Sequence, residues 1–123
     1  MAYDKNYFLR WRATNAGIWH TTYNNHGRKN KRKFLISKEE FLEWYQKQPK
    51  KCHYCLIKES ELSRIKQFRS KTKRLTIDRK DNAKPYTLDN IVLACHRCNT
   101  IKGGTFTEQE MLEIAKKYLY ERK

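Results

Sequence analysis

Two Cys-X-X-Cys pairs constrain this chain more than any other feature. Cys52 and Cys55 form the first, Cys95 and Cys98 the second, with 39 residues between the pairs. Four thiolates drawn from two close pairs satisfy the tetrahedral, soft-ligand preference of zinc. Such a site has no open position, so the ion it holds is structural rather than catalytic. Disulfides are the competing use. The N-terminus, MAYDKNYFLRW, has no apolar signal-peptide core, so a cytoplasmic protein with reduced thiols is expected. No apolar run is long enough to span a membrane. At 123 residues, 38% of them hydrophobic, one domain can bury only a small core, and a metal staple adds folding free energy directly.

Charge narrows the partner. The net charge is +15, the footprint of a polyanion-binding protein, most simply one that binds nucleic acid. Residues 1–50 carry a net +7 and residues 51–104 a net +8, whereas residues 105–123 are neutral. The phosphate-facing surface is therefore expected in the first hundred residues. Its densest run is HGRKNKRK, with Arg28, Lys29, Lys31, Arg32 and Lys33, read as a backbone-contacting loop or groove-inserting arm. A solvated loop is the plainer reading of the same run. Arg10 and Arg12 are further phosphate contacts, and residues 58–74 hold a second basic patch in a short helix or loop.

Pattern and capping signals divide the chain. Tyr7, Phe8, Trp11, Ile18, Trp19 and Tyr23 recur at steps of three and four, so a helix is predicted from Tyr3 to about Asn24. Ser37 and Glu40 have capping-box spacing and open a helix from about Lys38 to Gln48, with Phe41, Leu42, Trp44 and Tyr45 on its buried side. Leu75–Ile77 is a short strand ending in Asp78-Arg79, and the apolar run Ile91–Ala94 is a second. Thr107 and Glu110 repeat the capping box and open a last helix to about Tyr120. His53 and His96 sit beside the cysteines, redundant as ligands and better used in hydrogen bonds or phosphate contacts.

Asp78-Arg79, then Asn90, then Cys95-X-X-Cys98-Asn99 with Lys102 three residues on, set within strand–loop–strand–helix, resembles the HNH (ββα-metal) endonucleases. The resemblance covers roughly Cys52 to Lys102. It implies a small, zinc-stabilised α+β fold with flanking helices, and one nuclease domain over residues 1–123. That domain has a helical, basic N-terminal part (1–50), the zinc-bound core (51–104) and a C-terminal helix (105–123). It also implies phosphodiester hydrolysis with one divalent ion. Asp78 and Asn99 would hold that ion, and oxygen ligands suit Mg2+ or Mn2+. Lys102 joins the expected DNA contacts.

One position departs from the family. The residue after the metal-binding Asp is usually a His that activates water, and here it is Arg79, which cannot be deprotonated. Arg79 is expected to clamp the scissile phosphate. Asn90, which in the family orients that His, is left to brace the loop. A family subgroup carries the same Asp-Arg pair, and the likeness suggests that Tyr54 faces the site and that an N-terminal residue assists. The candidates for the proton acceptor are Tyr54, His20 and His26. A tyrosine needs nearby positive charge to act so, a histidine less.

These readings converge on a metal-dependent endonuclease for double-stranded DNA, site-specific in the restriction or homing manner. The alternative is a catalytically inactive, zinc-stabilised module that binds nucleic acid. A restriction role would want a homodimer on a palindrome, with the neutral C-terminal helix and the N-terminal aromatics as candidate surfaces.

Overall fold

In the computed structural model, residues 15–23, 34–65 and 74–120 are described. They fall into two compact units. One comprises the described residues up to Lys47 together with Pro85–Leu88, and the other comprises Gln48–Lys84 with Asp89 onward.

The first unit is built on aromatic packing. Helix α1 (Asn15–Thr22) lies within the stretch where the aromatic spacing predicts a helix, and the rest of that stretch before residue 15 lies outside the described residues. Helix α2 (Lys38–Lys47) starts where Ser37 dictates. The Ser37 hydroxyl accepts from the Glu40 amide at 3.1 Å, and the Glu40 carboxylate accepts from the Ser37 amide at 3.1 Å. This reciprocal pairing satisfies two otherwise orphaned donors. Phe41 and Tyr45, one turn apart, are its buried face. Trp19 of α1 packs on Phe41, with ring centroids 5.7 Å apart, and on Phe34 at 6.0 Å. Phe34 in turn packs on Tyr86 at 5.4 Å, beside a bond from the Leu35 amide to the Tyr86 carbonyl.

The second unit is a strand pair clamped between thiols and two helices. Strand β1 (Thr76–Arg79) and strand β2 (Ile91–Ala94) are antiparallel, with Thr76 opposite Ala94 and Asp78 opposite Val92. The pairing runs two residues past the apolar stretch, so Asp78 and Arg79 lie within the strand, not after it. Alternation puts Ile77 and Leu93 on one face. Thr76, Asp78, Val92 and Ala94 form the other. Helix α3 (His96–Lys102) follows β2 and stops at Gly103, whose φ of 45° suits a residue without a side chain. Helix α4 (Glu108–Tyr118) has the capping box of Thr107 and Glu110 and buries Met111 and Ala115 at i, i+4. The amides of Leu119 and Tyr120 both turn back to the Ala115 carbonyl, which ends α4 two residues before the expected Tyr120. After Lys58, where a short helix or loop is expected, the described residues form a 3-10 turn, Glu59–Arg64, anchored by buried Leu62. Glu59 also accepts from the Leu75 amide at 3.0 Å, tying this turn to the start of β1. Among the described residues no helix is long and apolar enough to cross a membrane.

Candidate active site and metal centre

The four cysteines come together. Their sulfurs all lie within 4.8 Å of one another, and all four residues are buried. Cys55 Sγ and Cys95 Sγ are 3.7 Å apart. A tetrahedron with metal–sulfur bonds of about 2.3 Å has sulfur–sulfur edges of about 3.8 Å, so this spacing matches a metal-holding centre. Both pairs are knuckles. The Cys55 amide points at Cys52 Sγ at 3.5 Å, and the Cys98 amide, at the start of α3, points at Cys95 Sγ at 3.4 Å. The turn after the first pair forces Leu56 into a positive φ of 66°.

Electrostatics point the same way. Bonds from Cys52, Cys95 and Cys98 drive the Cys55 thiol down into its thiolate form. Cys52, Cys55 and Cys95 hold Cys98 well above the ordinary thiol range, and burial adds to this. Four such groups cannot all ionise unless a cation balances them. Buried Arg97 is one cationic neighbour. Burial would lower its pKa, but a bond to the Cys55 sulfur and the charge of the cluster outweigh that and raise it.

The clamp brings α3 onto the polar face of β1. The Asn99 side-chain amide donates to Thr76 Oγ1 at 3.2 Å. One turn later Lys102 Nζ donates to the Arg79 carbonyl at 2.7 Å and lies 3.5 Å from Asp78 Oδ2. The first knuckle docks on β2 through a bond from the His53 amide to the Leu93 carbonyl, which carries Tyr54 to the same place. The Tyr54 hydroxyl donates to Asp78 Oδ2 at 2.6 Å. Asp78 is buried, and burial raises its pKa against the opposing pull of Tyr54 and Lys102. Both donors engage Oδ2. Among the described residues Oδ1 of Asp78 accepts nothing, and neither does Oδ1 of Asn99. Among the described residues two hard oxygen donors, one on β1 and one on α3, are thus uncommitted, and oxygen donors are the chemistry a divalent ion such as Mg2+ requires.

No family model and no curated relative matches the chain. A solved structure does, that of the rare-cutting HNH restriction endonuclease PacI. The two align with a TM-score of 0.68 and 27% sequence identity, covering 80% of this chain and 75% of PacI. The chain has the HNH endonuclease fold.

Within that HNH frame the candidate residues are placed as follows. Asp78, Asn99, Tyr54 and Lys102 converge on β1. Arg79, at the end of the strand, is partly exposed and donates to the Lys84 carbonyl at 3.2 Å. Asn90 is buried and braces the loop after β1. Its carbonyl accepts from the Asp81 amide at 3.0 Å, and its NH2 donates to the Asp81 carbonyl at 3.1 Å. Tyr54 faces Asp78 as a donor. Burial first, then Asp78, push its phenol far above the ordinary tyrosine range. His26, Arg28, Lys29, Lys31, Arg32 and Lys33 lie outside the described residues, as does the side chain of His20.

One expectation is corrected. Lys102 is fully buried, so its ammonium cannot reach a DNA phosphate. It serves three internal oxygens instead, the third being Asn82 Oδ1 at 3.5 Å. His53 and His96 do form hydrogen bonds. His53 Nε2 pairs with Glu108 Oε2 at 2.8 Å, joining the first knuckle to α4, and His96 lies 3.4 Å from the Thr100 hydroxyl. Sequence reasoning passed over Thr76 and Glu108. The only signal for Thr76 was its place two residues before Asp78, on the same strand face.

Proposed function

We propose that the chain is one nuclease domain, a metal-dependent endonuclease that hydrolyses phosphodiester bonds of double-stranded DNA at specific sites. PacI, the structural neighbour, is a rare-cutting restriction endonuclease that perturbs DNA. The observation that carries the reading is the pair of uncommitted oxygens, Asp78 Oδ1 and Asn99 Oδ1, on a strand and helix held together by the thiol cluster. In this reading zinc fills the four-cysteine centre, and Asp78 with Asn99 holds Mg2+ or Mn2+. When bound, that ion offsets the charge that develops on the phosphate and on the leaving 3′ oxygen. Arg79 clamps the scissile phosphate as a permanent cation. Asn90 keeps the loop behind it in shape. Tyr54 is the first candidate for taking the proton from water, with His20 and His26 next. A phenol accepts a proton only after losing its own, so Tyr54 acts as base once its hydroxyl proton has passed to solvent, a loss that the positive charge of Arg79 and of the ion favours and that burial and Asp78 oppose.

Supercoiled plasmid incubated with Mg2+ or Mn2+ tests the reading. Asp78→Ala is expected to keep its zinc and its fold and to lose all nicking. Full activity in that variant would end the assignment. Arg79, standing where the family has a histidine, supports a second reading, a zinc module that binds nucleic acid without cutting it. That reading predicts salt-sensitive binding and no cleavage with any divalent ion.

A further inference from the structure

The uncommitted oxygen of Asn99 depends on which way its amide is turned, and one neighbour decides that. The Thr76 hydroxyl has one proton and two lone pairs. Its proton is spent on the Ala94 carbonyl, the residue directly across the ladder, at 2.9 Å. A carbonyl can only accept, so the direction of this bond is unambiguous. The hydroxyl oxygen therefore has only lone pairs left for Asn99, and only a donor can face it. Asn99 accordingly presents its NH2 to Thr76 at 3.2 Å. Turning the amide over would set two oxygens against each other or give up the bond from the Thr76 hydroxyl to the Ala94 carbonyl.

We propose that Thr76 is a positioning residue for the catalytic ion: by donating to Ala94 it takes up the NH2 of Asn99 and leaves that residue's carbonyl oxygen free to bind a cation. The inference rests on the reading of Asn99 as a ligand. It adds that the orientation of this neutral ligand is set from outside. Asp78 needs no such device to offer an oxygen, because both ends of a carboxylate are oxygens. An amide offers an oxygen at one end and a donor at the other, and only the first binds a cation. Partners that orient metal ligands commonly matter ten- to a hundred-fold in affinity.

Mn2+ affinity of the zinc-loaded protein, followed by the electron paramagnetic resonance of the free ion, reads this without any cleavage. Thr76→Val keeps the size, branching and strand preference of threonine and removes only the hydroxyl. It is expected to raise the Mn2+ dissociation constant about ten-fold, with zinc content unchanged. Thr76→Ser, which restores the hydroxyl, is expected to stay within about two-fold of the parent, a small fraction of the orienting effect. In an Asn99→Asp background, Thr76→Val is expected to cost nothing, since a carboxylate presents oxygen either way. An equal cost in both backgrounds would assign the effect to packing and overturn the proposal. If Asn99→Ala weakens Mn2+ binding but Thr76→Val does not, the orienting role falls and the ligand reading stands. If neither Asn99→Ala nor Asp78→Ala weakens it, the ligand reading falls and the proposal with it. A check that needs no variant is the side-chain amide of Asn99 in a nuclear Overhauser spectrum. Its protons are expected to contact the Thr76 side chain, and their absence there would overturn the proposal.

Discussion

Replacing Lys102 with methionine tests how the site is held. The side chain is fully buried, and its three N–H donors face the Arg79 carbonyl at 2.7 Å, Asn82 Oδ1 at 3.5 Å and Asp78 Oδ2 at 3.5 Å. Methionine fills similar space and makes none of these contacts. A hydrogen bond from a charged group contributes about 1.5–3 kcal/mol, and stranding one partner of a buried ion pair costs about 3–5 kcal/mol. Two observations hold the total near the lower end. The Asp78 pair is long, and Tyr54 still donates to the same oxygen. The lysine also no longer pays its own desolvation. The net expectation is a loss of about 3 kcal/mol, which for a domain of this size lowers the melting temperature by about 10–20 °C. Thermal melts of the zinc-loaded protein measure it. In an Asp78→Asn background the same substitution is expected to cost at least about 1 kcal/mol less, because no carboxylate is stranded. The salt dependence of DNA binding is expected to keep its slope, since a buried ammonium releases no counterion from a phosphate. A melt within about 2 °C of the parent, a cost unchanged by Asp78→Asn, or a shallower salt slope would each refute the reasoning.

The thiol centre gives a second prediction. Structural zinc in small domains binds with about 10–16 kcal/mol, as much as the whole stability of an ordinary domain, about 5–15 kcal/mol. Chelation, or Cys98→Ser, is therefore expected to abolish the cooperative melt and the near-ultraviolet signal of buried Tyr54, and Zn2+ is expected to restore both after chelation alone. Asp78 gives a third. Its folded pKa is raised, chiefly by burial, so the folded chain holds that proton more tightly than the unfolded one. The stabilisation this provides is complete below the ordinary carboxylate range and is lost as pH rises through the raised value. Without Mg2+ or Mn2+, the melting temperature of the parent relative to Asp78→Asn is expected to fall as pH rises from acid to neutral. A difference that is the same at both pH values would contradict the shift.

What could be read from the residues was what neighbours in sequence decide. Ser37 with Glu40 and Thr107 with Glu110 announce their helices because a capping box closes within three residues. The cysteine pairs announce their centre because each knuckle is local and zinc chemistry supplies the rest. Asn90 came into view as a loop brace only through the resemblance, although its partners Asp81 and Lys84 are less than ten positions away. Lys102 misled because, in a chain of net +15, one more lysine looks like one more phosphate contact. Its burial is decided by Arg79, 23 residues earlier. The bond from Tyr54 to Asp78 spans 24 residues, and no periodicity predicts that a phenol will end on that one oxygen. Thr76 carries no motif at all, and its part follows only once the ladder sets it across from Ala94 and the clamp sets Asn99 above it.

The separation of the two knuckles also sets an order of assembly. Cys55 and Cys95 are 40 positions apart, and the strand with Asp78 lies between them. On a growing chain, Tyr54 and Asp78 emerge well before Asn99 and Lys102 exist. The second pair of thiols is made only three residues before the chain reaches Ile101, so the clamp and the site it shapes become available almost together. A nascent chain cannot hold the complete Asp78–Asn99 arrangement before its last thiol has been made. A ribosome-stalled fragment ending before Cys95 would carry the strand residue without the helix that completes it.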